Sequence, residues 1–150
     1  MGIAVTAQTK IVDLLIVGPS PVPSPSPSWY DTYSQHATAD MEIPSFSVET
    51  VLDEPILGDA AIDANEMVDN RLIQIMVRVH TGWRLGPHNT ILARTITDEI
   101  VTLLRQHVNL GEGYWLFQVG VRFGVSHDTS GTTGAEILIN IHKVAFYAQS

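Results

Sequence analysis

Arg71-Leu72-Ile73-Gln74-Ile75-Met76-Val77-Arg78-Val79-His80 alternates between two faces, with Ile73, Ile75, Val77 and Val79 on one and Gln74, Met76, Arg78 and His80 on the other. A period of two is the signature of a strand with one dry side and one wet side, as in an antiparallel sheet covered on a single face. Downstream, Gly82, Gly86 and Pro87 break the chain, and Asn89 or Thr90 is suited to cap a helix over Ile91 to Val108. The apolar stripe of that helix is Leu92, Ile96, Ile100, Leu103, Leu104 and Val108, and Asn109 and Gly111 are suitable terminators. Two further strand-like runs, Tyr114 to Val125 and Ala135 to Tyr147, flank the Gly/Ser/Thr loop Ser126 to Gly134 and read as a hairpin. In the first, Trp115, Phe117, Val119, Val121, Phe123 and Val125 are expected toward the core; in the second, Ile137, Ile139 and Ile141. That phase breaks at Lys143, which predicts a β-bulge or a change of environment there.

Upstream of the alternating stretch, Ser45 to Leu52 places Phe46, Val48, Thr50 and Leu52 on one face of another strand. Residues 53–70 are acidic, and beyond Pro55 they read as an exposed loop. Ile3, Ala7, Ile11, Leu14 and Leu15 line one stripe of a first helix, which Gly18 ends. Prolines at alternate positions from Pro19 to Pro27 exclude helix and interior strand, so residues 19–28 are read as a semi-rigid strut. The order helix, strand, strand, helix, strand, strand predicts one α+β domain over residues 1–150. Its expected architecture is an antiparallel four-stranded sheet with two helices packed on one face, plus extended Pro-rich and acidic loops.

Apolar residues make up 45% of the chain and charged residues 16%, which places it with folded proteins rather than disordered ones. The absence of cysteine excludes disulfides, thiolate nucleophiles and cysteine-ligated metals, and suits assembly in a reducing cytoplasm. Met1 to Val17 has Lys10 and Asp13 within its apolar run, and reads neither as a signal peptide nor as a membrane span. The net charge of −8 is concentrated: every charged residue from Asp31 to Asp69 is an acid, whereas from Asn70 onward cations slightly outnumber acids. Stable binding to nucleic acid requires clustered cations, and there is no such cluster. An acidic lining would let DNA pass without adhering, and two oppositely charged surfaces can dock on each other in an oligomer.

Possible chemistry is thinly represented. Thr129-Ser130-Gly131-Thr132-Thr133-Gly134 resembles the phosphate-binding loop of adenylate-forming ligases, but Ala135 and Glu136 stand where that family has proline and lysine, and a hairpin loop is the better reading. Asp128-Thr129-Ser130-Gly131 approximates an aspartic-protease loop, without the second carboxylate such a site requires. No Gly-x-Ser-x-Gly elbow and no His-Glu-x-x-His spacing occurs. His80 and His142 both fall on polar strand faces, where as neighbours they would share a metal; solvated or hydrogen-bonded histidines are the preferred reading. The chain is accordingly read as a non-enzyme with no cofactor. Trp29, Tyr30 and Tyr33, just beyond the strut, either anchor a partner surface or fold back as a lid on the core.

Taken together, the layout resembles that of siphophage tail-terminator and tail-completion (head-tail joining) proteins. It comprises an amphipathic first helix, an irregular link, the extended entry Pro44-Ser45-Phe46-Ser47-Val48, an acidic loop and the strand Leu72 to Val79. Gly82, the helix Ile91 to Val108 and a closing hairpin with an Asp-bearing tip complete it. The resemblance covers Ile3 to Phe146, apart from the strut and the aromatic segment, and rests on layout without a diagnostic motif. It implies a virion protein of the tail and neck, assembled in the host cytoplasm, that caps the tail tube as a hexameric ring and joins it to the head connector. Its partners would be copies of itself, the tail-tube protein and the connector, with DNA only as passing cargo, no membrane and no catalytic residue. Trp29, Tyr30, Tyr33, His127, Asp128 and Thr129 are the candidate assembly contacts. A head-tail connector or tail-tube subunit is the alternative, and a small α+β ligand-binding or enzymatic domain the second.

Overall fold

The alternating stretch lies inside a strand of 17 residues, Glu66–Gly82, and the rest of the sheet is built out from it. The computed structural model describes residues 2–16, 28–30, 44–55, 60–61, 66–82, 87–127 and 132–148. In chain order the elements are α1 (Ile3–Ile16), β1 (Ser28–Tyr30), β2 (Ser45–Pro55), β3 (Ala60–Ala61), β4 (Glu66–Gly82), α2 (Pro87–Gln106), β5 (Asn109–Gly111), β6 (Tyr114–Ser126) and β7 (Thr133–Ala148). One sheet holds all the strands in the order β1-β2-β4-β7-β6-β5, with β3 paired to β4 off that path.

The fold is α+β, but the sheet is not four-stranded. Five strands, β2, β4, β7, β6 and β5, run antiparallel in a curled, half-barrel sheet, and β1 adds to β2 in parallel. The extra strands escaped the sequence reading because β1, β3 and β5 have only 3, 2 and 3 residues, too few to show an alternation. β5 takes up Asn109 and Gly111, expected only as terminators of the second helix, which itself ends at Gln106. Gly111, Glu112 and Gly113 all take positive φ, 86°, 56° and 83°, and this left-handed run folds Asn109–Gly111 back onto Tyr114 and Trp115. The acidic stretch 53–70 is likewise not all loop: Asp53–Pro55 finish β2 and Glu66–Asn70 begin β4. The proline strut lies outside the described residues except for Ser28, which opens β1. Among the described residues no helix is long and apolar enough to cross a membrane.

The core lies between the helices and one face of the sheet. Ile73, Ile75, Val77 and Val79 of β4 stand opposite Ile141, Ile139, Ile137 and Ala135 of β7, and all eight are fully buried. Phe46 and Val48 of β2 extend this layer. Over it, α1 contributes Ala7, Ile11 and Leu15 of its expected stripe, and α2 contributes Ile96, Ile100, Leu103 and Leu104 of its own together with Ala93, while Val108, expected on that stripe, lies beyond the end of α2 and is 42% exposed. α2 begins at Pro87, ahead of the expected cap, because proline is well suited to the first helical position, where no N–H donor is needed.

Three single-residue irregularities overturn parts of the expected core. In β6 the register shifts between Leu116 and Gln118, so Phe117 is an extra residue. Tyr114 and Leu116 therefore point inward before it and Val119 and Val121 after it, leaving Trp115 and Phe117 48% and 56% exposed. A second shift, between Phe123 and Val125, occurs at Gly124 with φ 65°. Phe123 is left half-exposed at the rim, its ring 5.0 Å from the Arg94 guanidinium, and Val125 is only partly covered. In β2 the shift between Thr50 and Leu52 turns Leu52 to the helix-free face. β7 has no bulge at Lys143. The alternation continues and the environment changes, with the Lys143 ammonium 4.5 Å from the centre of the Tyr114 ring and donating to the Glu112 carbonyl.

Ile100, fully buried against this layer, and Phe117 on the other face make opposite expectations. Ile100→Ala should cost about 2–5 kcal/mol of unfolding free energy, whereas Phe117→Ala should change it by about 0.5 kcal/mol or less. Urea melts of the two variants check the assignment of faces.

Candidate functional site

The most concentrated polar chemistry among the described residues sits where β2, β4 and β7 end together. Ser45 and His80 are cross-strand partners, as are Ser47 and Arg78, so their side chains share the helix-free face. The His80 ring is held between two hydroxyls: Ser47 Oγ is 3.0 Å from Nε2 and Thr132 Oγ1 is 2.6 Å from Nδ1. Beside it lies His127, with ring centroids 4.6 Å apart. His127 Nε2 donates to the Val79 carbonyl at 3.1 Å, and its backbone N–H donates to the Thr132 carbonyl at 2.7 Å, closing the base of the β6–β7 loop. Glu136 Oε1 stands 3.9 Å from His127 Nδ1, and Arg78 is paired with Glu49 at 2.7 Å.

Close packing made this junction possible. At Gly134, opposite His80, an added Cβ would stand 1.9 Å from the Val79 carbonyl oxygen, so only glycine lets β7 approach β4 here. β4 bulges at the same place, between His80 and Gly82.

A histidine between hydroxyls has the parts of a general base and a nucleophile. Ser47, His80 and Thr132 are nevertheless fully buried, and His127 is 2% exposed, so all four side chains are closed off from solvent. Burial, reinforced by the neighbouring His127 and Arg78, lowers the His80 pKa to about 3. The ring is neutral under ordinary conditions and acts as a clamp, tying β2, β4 and the hairpin base through hydrogen bonds.

The expected site residues fare differently. His127 is 2% exposed, its ring turned inward onto His80. Trp29 and Tyr30 lie on β1, with their backbones beside Phe46 and Ser47; Tyr33, Asp128 and Thr129 lie outside the described residues. His80 and His142 are not neighbours. Their β4 positions, His80 itself and Leu72 opposite His142, are eight residues apart, which at about 3.4 Å per residue is roughly 27 Å. His142 instead meets Asn70, at 3.4 Å. Among the described residues no group of three or more potential ligands could hold a metal ion.

The sheet edges form the second candidate site, and they are unlike. Along β2, β1 pairs with Ser45–Ser47. Just beyond, the Gln8 carboxamide of α1 takes over: Nε2 donates to the Val48 carbonyl at 3.2 Å, and Oε1 accepts from the Thr50 N–H at 2.9 Å and from the Thr50 hydroxyl at 2.8 Å. β6, by contrast, has β5 only beside Tyr114 and Trp115, and from Phe117 to Ser126 no described strand lies along its outer side. Alternation of antiparallel bonding identifies the groups presented there. Val48 and Thr50 bond away from β4, so Val77 and Ile75 bond toward β7, and Ile137 and Ile139 toward β4. Val119 and Val121, opposite Ile139 and Ile137, must then direct N–H and C=O outward. Exposed Trp115 and Phe117 lie at one end of this edge, and exposed Arg122 lies along it.

Neither the models of known protein families nor the curated protein sequences match this chain.

The clamp has a definite pH dependence. Because the folded-state pKa of His80 lies below its unfolded value of 6.5, the unfolded chain alone binds a proton between pH 6.5 and about 3. The stability contribution is intact above pH 6.5 and is lost as pH falls below it, by on the order of 1 kcal/mol per pH unit. His80→Gln should be less stable at pH 7 yet decline less steeply toward pH 4. Melting both proteins across that range checks it; parallel profiles would remove the clamp.

Proposed function

We propose that the chain is a structural subunit of a phage tail, of the tail-terminator kind, which assembles as a hexameric ring capping the tail tube and presents a surface to the head-tail connector. The single observation that carries this reading is the long edge of β6, along which no described strand pairs, in a curled sheet. An open strand edge is a template for pairing, and proteins normally cover or blunt one of this length. In a cyclic assembly the edge of each copy is covered by the next, and the curl of the sheet gives the turn that closes a ring. Exposed Trp115 and Phe117 add the aromatic surface that interface centres favour. The terminator resemblance drawn from the sequence points the same way. DNA passes through such a ring as cargo, in keeping with an acidic chain that has no cluster of cations. The subunit has its place in the tail and neck of the virion, works by contact and catalyses nothing.

Negative-stain electron microscopy of the purified chain, alone and with tail tubes, tests the reading. Closed rings of six, free or seated on tube ends, are the expected result. Open filaments would assign the chain to the tube itself, and a persistent monomer indifferent to tubes would end the assignment.

A further inference from the structure

Resting on that reading, we infer that Gln8 is an edge guard: its carboxamide occupies the site on β2 at which a second copy of the chain docks its β6, so α1 must yield before copies join. The carboxamide bonds the Val48 carbonyl and the Thr50 N–H, the two groups flanking Glu49. One residue of a parallel neighbour bonds an edge in this pattern, and β1 is such a neighbour up to Ser47. Gln8 thus extends the β1 ladder by one step with a side chain. Its hold is a few hydrogen bonds between part-buried groups on a helix that otherwise packs by Ala7, Ile11 and Leu15. Such bonds are individually replaceable by equivalent ones from an incoming strand.

The occupant follows from strand direction and charge. β2, β4, β7 and β6 alternate in direction, so a copy that continues the sheet head to tail sets β6 antiparallel to the next β2, the relation already found inside the subunit. β6 offers the outward N–H and C=O groups of Val119 and Val121 and carries one charge, Arg122. β2 carries Glu49, Asp53 and Glu54 and no cation; Glu49 is paired with Arg78 and Asp53 with Arg71, both from β4. Arg122 shares the helix-free face with Glu49 and Glu54, so the joint brings unlike charges to one side of the extended sheet.

Sedimentation velocity over a concentration series, on the full chain, tests the guard. Gln8→Ala leaves α1 a good helix and is expected to shift association to at least tenfold lower concentration. Gly120→Glu lies on the same face as Arg122, where an added Cβ meets nothing within 4 Å. It should fold normally, set a like charge against the β2 acids and reverse the gain in the double variant. An unchanged association curve for Gln8→Ala overturns the proposal, as does a gain that Gly120→Glu fails to reverse. Wild-type rings together with an unchanged Gln8→Ala curve would end the guard and leave the ring. A monomeric wild type whose Gln8→Ala variant associates reversibly through β6 would keep the guard and end the ring as the resting form.

Discussion

Pairing of β4 with β7 is the interaction on which the rest of the molecule depends. From Glu66 opposite Ala148 to His80 opposite Gly134, the ladder holds one register without interruption. That continuity keeps eight aliphatic side chains on one face, and both helices settle over the apolar layer they make. A one-residue slip would send the whole set to the other side. The register is fixed at one end by Gly134, where only a missing Cβ admits the Val79 carbonyl, and it brings Thr132 and His127 within reach of His80.

Strands buried on one face over many residues announced themselves in the sequence, as did helices whose apolar stripes meet them. β4, the inward isoleucines of β7 and the stripes of α1 and α2 were legible for this reason. The errors arose where one residue too many resets the phase. Val51 and Phe117 look like ordinary members of an alternating run, yet each displaces its strand by one position against the partner. Leu52 is sent outward in one case, and Trp115 is left exposed ahead of the shift in the other. A bulge depends on the partner strand, which a single run of sequence does not contain.

The polar junction was hidden for a similar reason. Ser47, His80, His127 and Thr132 come from separate segments, and nothing in their spacing marks them as neighbours. One signal was available: Gly134 interrupts a strand-like run, and glycine there indicates a close backbone approach. Gln8 had no signal, since a glutamine on the flank of an amphipathic helix is ordinary.

The central position of β7 has a consequence for the order of events in time. The strand that lies in the middle of the sheet is the last of the described strands, and its main partner begins more than 60 residues earlier. Contacts between such distant segments form slowly, because a long loop must close before any of them is made. Until β7 arrives, β4 and β6 have no strand between them, and both hold apolar faces and unsatisfied edges open to solvent. A chain whose β7 has not yet joined the sheet is therefore the form most exposed to wrong partners, and productive assembly belongs to chains in which that strand is already in place.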